Sequence, residues 1–258
     1  MPVPVFLQDL RAKEILQEAA SAVPKGTKVY IVGGAARNAV YYKIFKKKLP
    51  QRDYDLVCAK KKRQFINNLR KKGFTYGFIR RKDEITLLKK RVPHPKDRFK
   101  DNVFLDIHFT DEFDIAKNLK KYAGFTINAF AISLSDIAEE KWNENLITIP
   151  GALDDLKNKQ LRLNAVSHPT MIYACIRFMA QGFKQPSKTD VQKMLRAAGS
   201  MNKKSHERRI KKVFNYVGGE QNARKLLMKL GIKRDIFDFN TILAIRKEVK
   251  KNPEVILD

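Results

Sequence analysis

Residues 28–58 read KVYIVGGAARNAVYYKIFKKKLPQRDYDLVC, and this stretch limits the possible folds more than any other part of the chain. The β-prone run KVYIV meets two glycines, a helical segment ARNAVYYKIF follows, and a second strand-like run YDLVC comes next, preceded and entered by Asp53 and Asp55. In a strand, residues two apart share a face and lie about 6–7 Å apart along the chain. Two carboxylates in that register suit hard cations, and a pair of Mg²⁺ ions about 3.5–4 Å apart is the usual clamp for phosphoryl or nucleotidyl transfer. Gly33 and Gly34 stand where a strand passes into a helix. A turn without side chains lets backbone N–H groups approach phosphate, and the helix N-terminus adds partial positive charge. Arg37, one turn further on, can reach the same anion.

The patterning changes near residue 160. Before it, short β-prone runs alternate with helical ones: KRQFINNLRKK reads as a helix, EITLLKKRV and NVFLDIHF as strands. After it the pattern is helical. Ile172, Cys175, Ile176 and Met179 fall on one stripe with Ser167 as N-cap, and Ile210, Val213, Phe214 and Val217 repeat the design with Gly218 as the stop. The expected organisation is therefore an α/β head over residues 1–160 and an all-α part over residues 161–258. In NVFLDIHF, Asp106 shares a strand face with Phe104 and His108 and offers a third carboxylate.

With 53 Lys plus Arg against 27 Asp plus Glu, the chain carries +26 at pH 7, which points to a polyanionic partner rather than to any fold. Between Lys60 and Arg91 the only acids are Asp83 and Glu84, and Phe65, Phe74, Tyr76 and Phe78 are interleaved with the cations. Cations neutralise phosphates, and exposed aromatics can stack on unpaired bases, but most of these aromatics are expected to be core residues beneath a solvated basic face. The basic character returns at Lys203, Lys204, Arg208, Arg209, Lys211 and Lys212. Cys58 and Cys175 sit in apolar stretches without a CxxC or Cys/His cluster, so a zinc site is not expected. No apolar run approaches the ~20 residues of a membrane span, and no secretory signal is visible, so the expectation is a soluble, cytoplasmic protein in a reducing compartment.

Six blocks, in order, resemble class II tRNA nucleotidyltransferases and bacterial poly(A) polymerases. VYIVGGAARN is similar to their VGGxVRD, RDYDLV to their metal-binding DxDL strand, and GFTINAFAI to DFTINAMAI. PGALDDLKNKQLRL resembles GxxDLxxxxLR, HPTMIYACIRF resembles DPxRxLRxxRF, and SHERRI resembles SxERI. The resemblance implies an α+β fold: a polymerase-β-like nucleotidyltransferase head with a mixed sheet, then an all-α neck and partial body. It implies transfer from a nucleoside triphosphate, ATP or CTP, to the 3′ end of an RNA, a tRNA or another structured RNA with a free 3′ end. Mg²⁺ would be held by Asp53 and Asp55, with Asp106 as the third catalytic carboxylate. Gly33, Gly34, Arg37, Asn128 and Arg177 would bind the nucleotide, and the basic run from Lys203 to Lys212 the RNA.

The departures are as informative as the matches. Asn38 stands where the family has Asp, and Tyr122, Ala123 and Gly124 replace the RRD that orients a loop and the nucleotide. Ser167, His168, Pro169, Thr170 and Met171 replace EDxxR, whose Asp and Arg read the incoming base, and Ala174 replaces the next family Arg, leaving only Arg177 of that series. Weakened base selection is the expected consequence. The other function class this leaves open is a descendant with little or no catalysis that serves as an RNA-binding module in a ribonucleoprotein.

Overall fold

The computed structural model describes residues 10–49, 53–81, 84–90, 102–110, 114–138, 145–166 and 168–255. Contacts divide the chain into two compact units, residues 1–119 with 128–152, and residues 120–127 with 153–258.

The first unit is built on a mixed seven-stranded sheet. Its strands are β1 (Val29–Val32), β2 (Asp53–Ala59), β3 (Thr75–Arg81), β4 (Glu84–Lys90), β5 (Asn102–Thr110), β6 (Phe130–Ser133) and β7 (Ile147–Thr148), in the spatial order β3-β4-β5-β2-β1-β6-β7. Among the described residues, only β2 and β5 pair in parallel; every other neighbouring strand pair is antiparallel. The segment from β1 through the helix Gly33–Phe45 to β2 is thus not a parallel crossover, because the helix returns the chain antiparallel to the strand it left. That helix is buried from Ala35 through Tyr41, and Arg37 and Asn38 lie inside this run. The helix Lys62–Lys71 buries Phe65, Ile66 and Leu69, which repeat at helical spacing. The four expected strands therefore form as β1, β2, β4 and β5, and β3 and β6 join them from stretches read only as aromatic or as motif.

The second unit is helical: Met171–Ala180, Lys188–Ala198, Lys203–Val217, Glu220–Lys229 and Phe239–Lys251. The expected stripe is present, with Ile172, Cys175 and Ile176 fully buried, but Met171, Tyr173 and Phe178 are buried too, so this helix is apolar on most of its circumference. It starts at Met171, after Thr170; Ser167, expected as the cap, lies outside the described residues. Gly218 does end its helix, at φ 81°, where the left-handed conformation lets its N–H bond back to the Phe214 carbonyl. Ser187 and Asn202 cap the helices Lys188–Ala198 and Lys203–Val217 by accepting the backbone N–H groups of Asp190 and Ser205 at 3.1 and 2.9 Å. Cys58 and Cys175 are free and buried, and burial pushes both thiols up, that of Cys58 to about 12, which disfavours the thiolate. Among the described residues no helix is long and apolar enough to cross a membrane.

Candidate active site

β2 lies between β1 and β5, and its register decides where the aspartates point. On β2, Tyr54 and Leu56 are 2% and 1% exposed; on β5, Leu105 and Ile107 are 0% and 1% exposed. Because side chains alternate across a strand, burying that set forces Asp53, Asp55 and Asp106 onto the opposite face. Asp55 is the direct partner of Asp106 in the parallel ladder, so two carboxylates 51 residues apart in sequence become lateral neighbours. Asp53 and Asp55 are exposed and Asp106 is half-buried.

Among the described residues no three His, Cys, Asp or Glu side chains close into a cluster able to hold a metal ion. Like-charged carboxylates facing one another repel, which opposes such closure in the protein alone. The donor set nevertheless fits Mg²⁺, a hard cation that keeps several waters and is held by one or two carboxylates together with substrate phosphates rather than by a complete protein cage.

The glycine turn borders these carboxylates. Gly33 adopts φ +66°, and a Cβ placed there would sit 3.2 Å from Asp55 Oδ2. Both facts call for glycine: an L side chain would be strained in the left-handed region and would press on the carboxylate. At Gly34 the nearest atom to such a Cβ is Arg37 Nη2, at 4.0 Å. Arg37 and Asn38 are 7% and 2% exposed. Arg37 donates from Nε and Nη2 to Asn38 Oδ1 at 3.1 and 2.8 Å, and from Nη1 to Asn128 Oδ1 at 2.8 Å. Asn128 ends the short 3₁₀ turn Thr126–Asn128, just before β6. Three residues assigned separately to nucleotide binding or noted as a departure thus form one hydrogen-bonded group beside the glycines. These are bonds to neutral amide oxygens, weaker than the carboxylate bond an Asp at position 38 would offer.

In the second unit, Arg177 is half-buried, with its guanidinium carbon 6.0 Å from the Tyr216 ring centroid; burial lowers its pKa and Tyr216 raises it. Lys203, Lys204, Arg208, Lys211 and Lys212 are exposed on the helix Lys203–Val217, and Arg209 is half-buried. His168 is exposed, its Nδ1 within 3.0 Å of Thr170 Oγ1. Met171 is only 7% exposed: the position at which the resemblance places a base-reading Arg is a core position here. Asn164 holds the Tyr122-Ala123-Gly124 segment, donating from Nδ2 to the carbonyls of Lys120 and Ala123 at 3.0 and 2.6 Å.

The remaining motifs acquire structural roles that their sequence did not reveal. Asp155, 3% exposed, accepts from Thr126 Oγ1 at 2.7 Å and from Arg162 Nη2 at 2.9 Å. It thereby ties together GFTIN, ALDDL and QLRL. The signal that could have found it is its burial requirement, since a carboxylate amid apolar neighbours must be paired.

No protein-family model matches the sequence, and no curated protein does. Solved structures do match. One is a CCA-adding enzyme in complex with CTP, at TM-score 0.55 and 19% identity, covering 87% of this chain and 52% of the other. A tRNA-processing enzyme in an apo form matches at TM-score 0.57 and 20% identity, over 97% of this chain and 66% of the other. The Thermotoga maritima CCA-adding enzyme complexed with tRNA matches at TM-score 0.51 and 19% identity, over 97% and 54%. The chain thus has the α+β fold of the CCA-adding enzymes, a mixed-sheet unit followed by helices. It spans about half the length of the first structure it matches. The likeness read in the six sequence blocks extends to the fold.

Proposed function

We propose that the chain is an RNA nucleotidyltransferase that adds nucleotides from ATP or CTP to the 3′ end of an RNA, a tRNA in the first instance, with weakened base selection. The observation that carries this reading is the placement of Asp55 between its ladder partner Asp106 and the Gly33 turn, with Arg37 beside Gly34. In the reaction, the RNA 3′-oxygen attacks the α-phosphorus of the triphosphate. The bond to the bridging oxygen breaks, pyrophosphate leaves with that electron pair, and the hydroxyl proton is lost. Gly33 and Gly34 leave room for phosphate oxygens at backbone N–H groups, and Arg37 supplies charge and donors to the same anion. Asn38 and Asn128 hold the guanidinium in place. Asp53, Asp55 and Asp106 would hold Mg²⁺, which when bound offsets the charge that develops between attacking and leaving oxygens.

Selection of the base is a separate matter. With His168 and Met171 at the reading positions, the two-point hydrogen bonding of an Asp and an Arg cannot be rebuilt, and a thioether is at best a feeble acceptor. Losing a bidentate contact forfeits about 1–3 kcal/mol of discrimination. The same substitutions favour the second reading, an RNA-binding module without turnover. One experiment separates them: purified protein, Mg²⁺, mixed tRNA and each labelled triphosphate in turn, with product length read on a gel. Slow extension with loose choice among triphosphates is expected. Absence of incorporation with every triphosphate would leave the binding module, and a clean C-C-A end would overturn the weakened selection.

A further inference from the structure

The basic stretch from Lys60 to Arg91 takes no part in the chemistry above, and the structure separates its aromatic residues. Phe65 and Phe74 are core residues at 0% and 2% exposure, whereas Tyr76 keeps 45% of its surface. The cause is register. Tyr54, Leu105, Leu87 and Tyr76 are successive cross-strand partners on β2, β5, β4 and β3, so they form one row on one face of the sheet. The first three are 2%, 0% and 0% exposed, and Tyr76 ends the row on the edge strand of the described sheet. A register shift between Tyr76 and Phe78 marks a bulge there, a feature that bends a strand and re-aims its side chains.

Among the described residues lining that ring's surroundings, the charged ones are Arg70 and Lys71. The Arg70 guanidinium carbon lies 5.4 Å from the Tyr76 ring centroid. Asn67, Arg70, Lys71, Thr75 and Tyr76 line a cavity of about 740 Å³. From Lys60 through Tyr76 the sequence contains no acidic residue, with cations at 60–63 at one end of the helix and at 70–72 at the other. Cations alone would hold phosphates of any nucleic acid; an exposed ring beside them adds a surface that only an unpaired base can cover.

We propose that this cavity binds one unpaired nucleotide of a single-stranded RNA segment, its base stacked on Tyr76 and its phosphates neutralised by Arg70 and Lys71. Thr86, next to Leu87, is the ladder partner of Asp106, so Tyr76 stands on the sheet face opposite the three aspartates. The segment it holds is therefore not the 3′ end being extended but a stretch elsewhere in the same RNA. The proposal rests on the RNA reading above only for the identity of the ligand.

The test is binding of a labelled 12-nucleotide oligouridylate to the full chain without any triphosphate, so that turnover plays no part. Tyr76→Ala weakens binding about tenfold, within the range for losing one stacked base, and leaves the salt dependence unchanged. Tyr76→Phe binds as the parent does. Arg70→Ala and Lys71→Ala each lower the slope of log affinity against log salt by about 0.7. An oligonucleotide carrying 5-iodouridine crosslinks to Tyr76, located by peptide mass, and a duplex of the same length is indifferent to Tyr76→Ala. Tyr76→Leu, which keeps the apolar row, replaces the alanine variant if that one melts early. Unchanged single-strand affinity in the Tyr76 variants, equal weakening of the duplex, or equal competition by polyglutamate overturns the proposal. Tyr76-dependent binding without incorporation of any triphosphate would instead defeat the enzymatic reading and leave this site standing.

Discussion

The sheet of the first unit and the first long helix of the second use their polar positions in opposite ways. On β2 and β5 the apolar residues occupy one face and leave Asp53, Asp55 and Asp106 on the other, bordered by a glycine turn that only glycine can form without pressing on Asp55. On the helix Met171–Ala180 the apolar residues take over positions where the family resemblance expects polar readers, and Met171 is packed away at 7% exposure. In the proposed reading, anion and metal binding would depend on a strand register and a glycine turn that bring a few side chains together. Base reading would depend instead on side chains at positions that here are His168 and the buried Met171.

The sharpest way to break that contrast is to remove the carboxylates. Asp53→Ala or Asp55→Ala is expected to lower nucleotide incorporation by roughly 10³-fold or more, the size of several kcal/mol of lost charge stabilisation. Thermal stability should hold or rise slightly, because a repulsive neighbour is gone. An active double variant, measured by incorporation of labelled ATP and CTP, would sink the assignment.

Restoring the family pattern in the second unit tests the other side. His168→Asp alone alters an exposed position and should be tolerated. Adding Met171→Arg buries a cation and deletes a packed thioether, costing on the order of 2 kcal/mol or more in denaturant unfolding. If the double variant is as stable as the parent and sharpens the preference for CTP or ATP, position 171 is not the core position described above.

Gly33→Ala sharpens the backbone half of the comparison. The left-handed conformation costs an alanine about 1–2 kcal/mol, and its methyl would meet Asp55 Oδ2. Incorporation should fall about tenfold, whereas Gly182→Ala, also at positive φ but with nothing within 4 Å, should affect stability alone.

The smallest effect concerns alkaline pH. The Cys58 thiol is raised by burial from 9.0 to about 12, and Cys175 is raised for the same reason. A thiol that ionises near 9 when unfolded and near 12 when folded leaves stability intact below pH 9 and drains it as pH rises toward 12. Each cysteine should cost about 1 kcal/mol by pH 10. Cys58→Ala should flatten that decline, whereas an equal decline in Cys58→Ala would mean that the thiol titrates normally in the folded chain.

Much of this was legible in the residues. The strand, glycine pair, helix and acidic strand of residues 28–58 form in the order read, because the period-two and period-3.6 patterns are local and each burial choice agrees with its neighbours. Gly218 ended its helix because a left-handed C-terminal residue is a local demand. β6 escaped because FAIS is buried along most of its length and shows no alternation, and a short apolar run does not declare itself strand or helix. Most aromatics between Lys60 and Arg91 are expected in the core, as Phe65 and Phe74 are, but which one is exposed was not legible: Phe74 and Tyr76 are two residues apart, one in the core and one at its edge.

By itself, then, the sequence determined the strand–helix alternation of the first part and the helices after residue 160, the glycine turn, and a like-facing pair of aspartates on one strand, all set by patterns local in the chain. Only the tertiary structure decided that Asp106 stands beside Asp55, that Arg37 reaches Asn128, that Met171 is core and that Tyr76 is not. Each of these depends on which strand lies beside which and on what covers a face, and the free energy that settles it comes from burying residues far apart in the chain together.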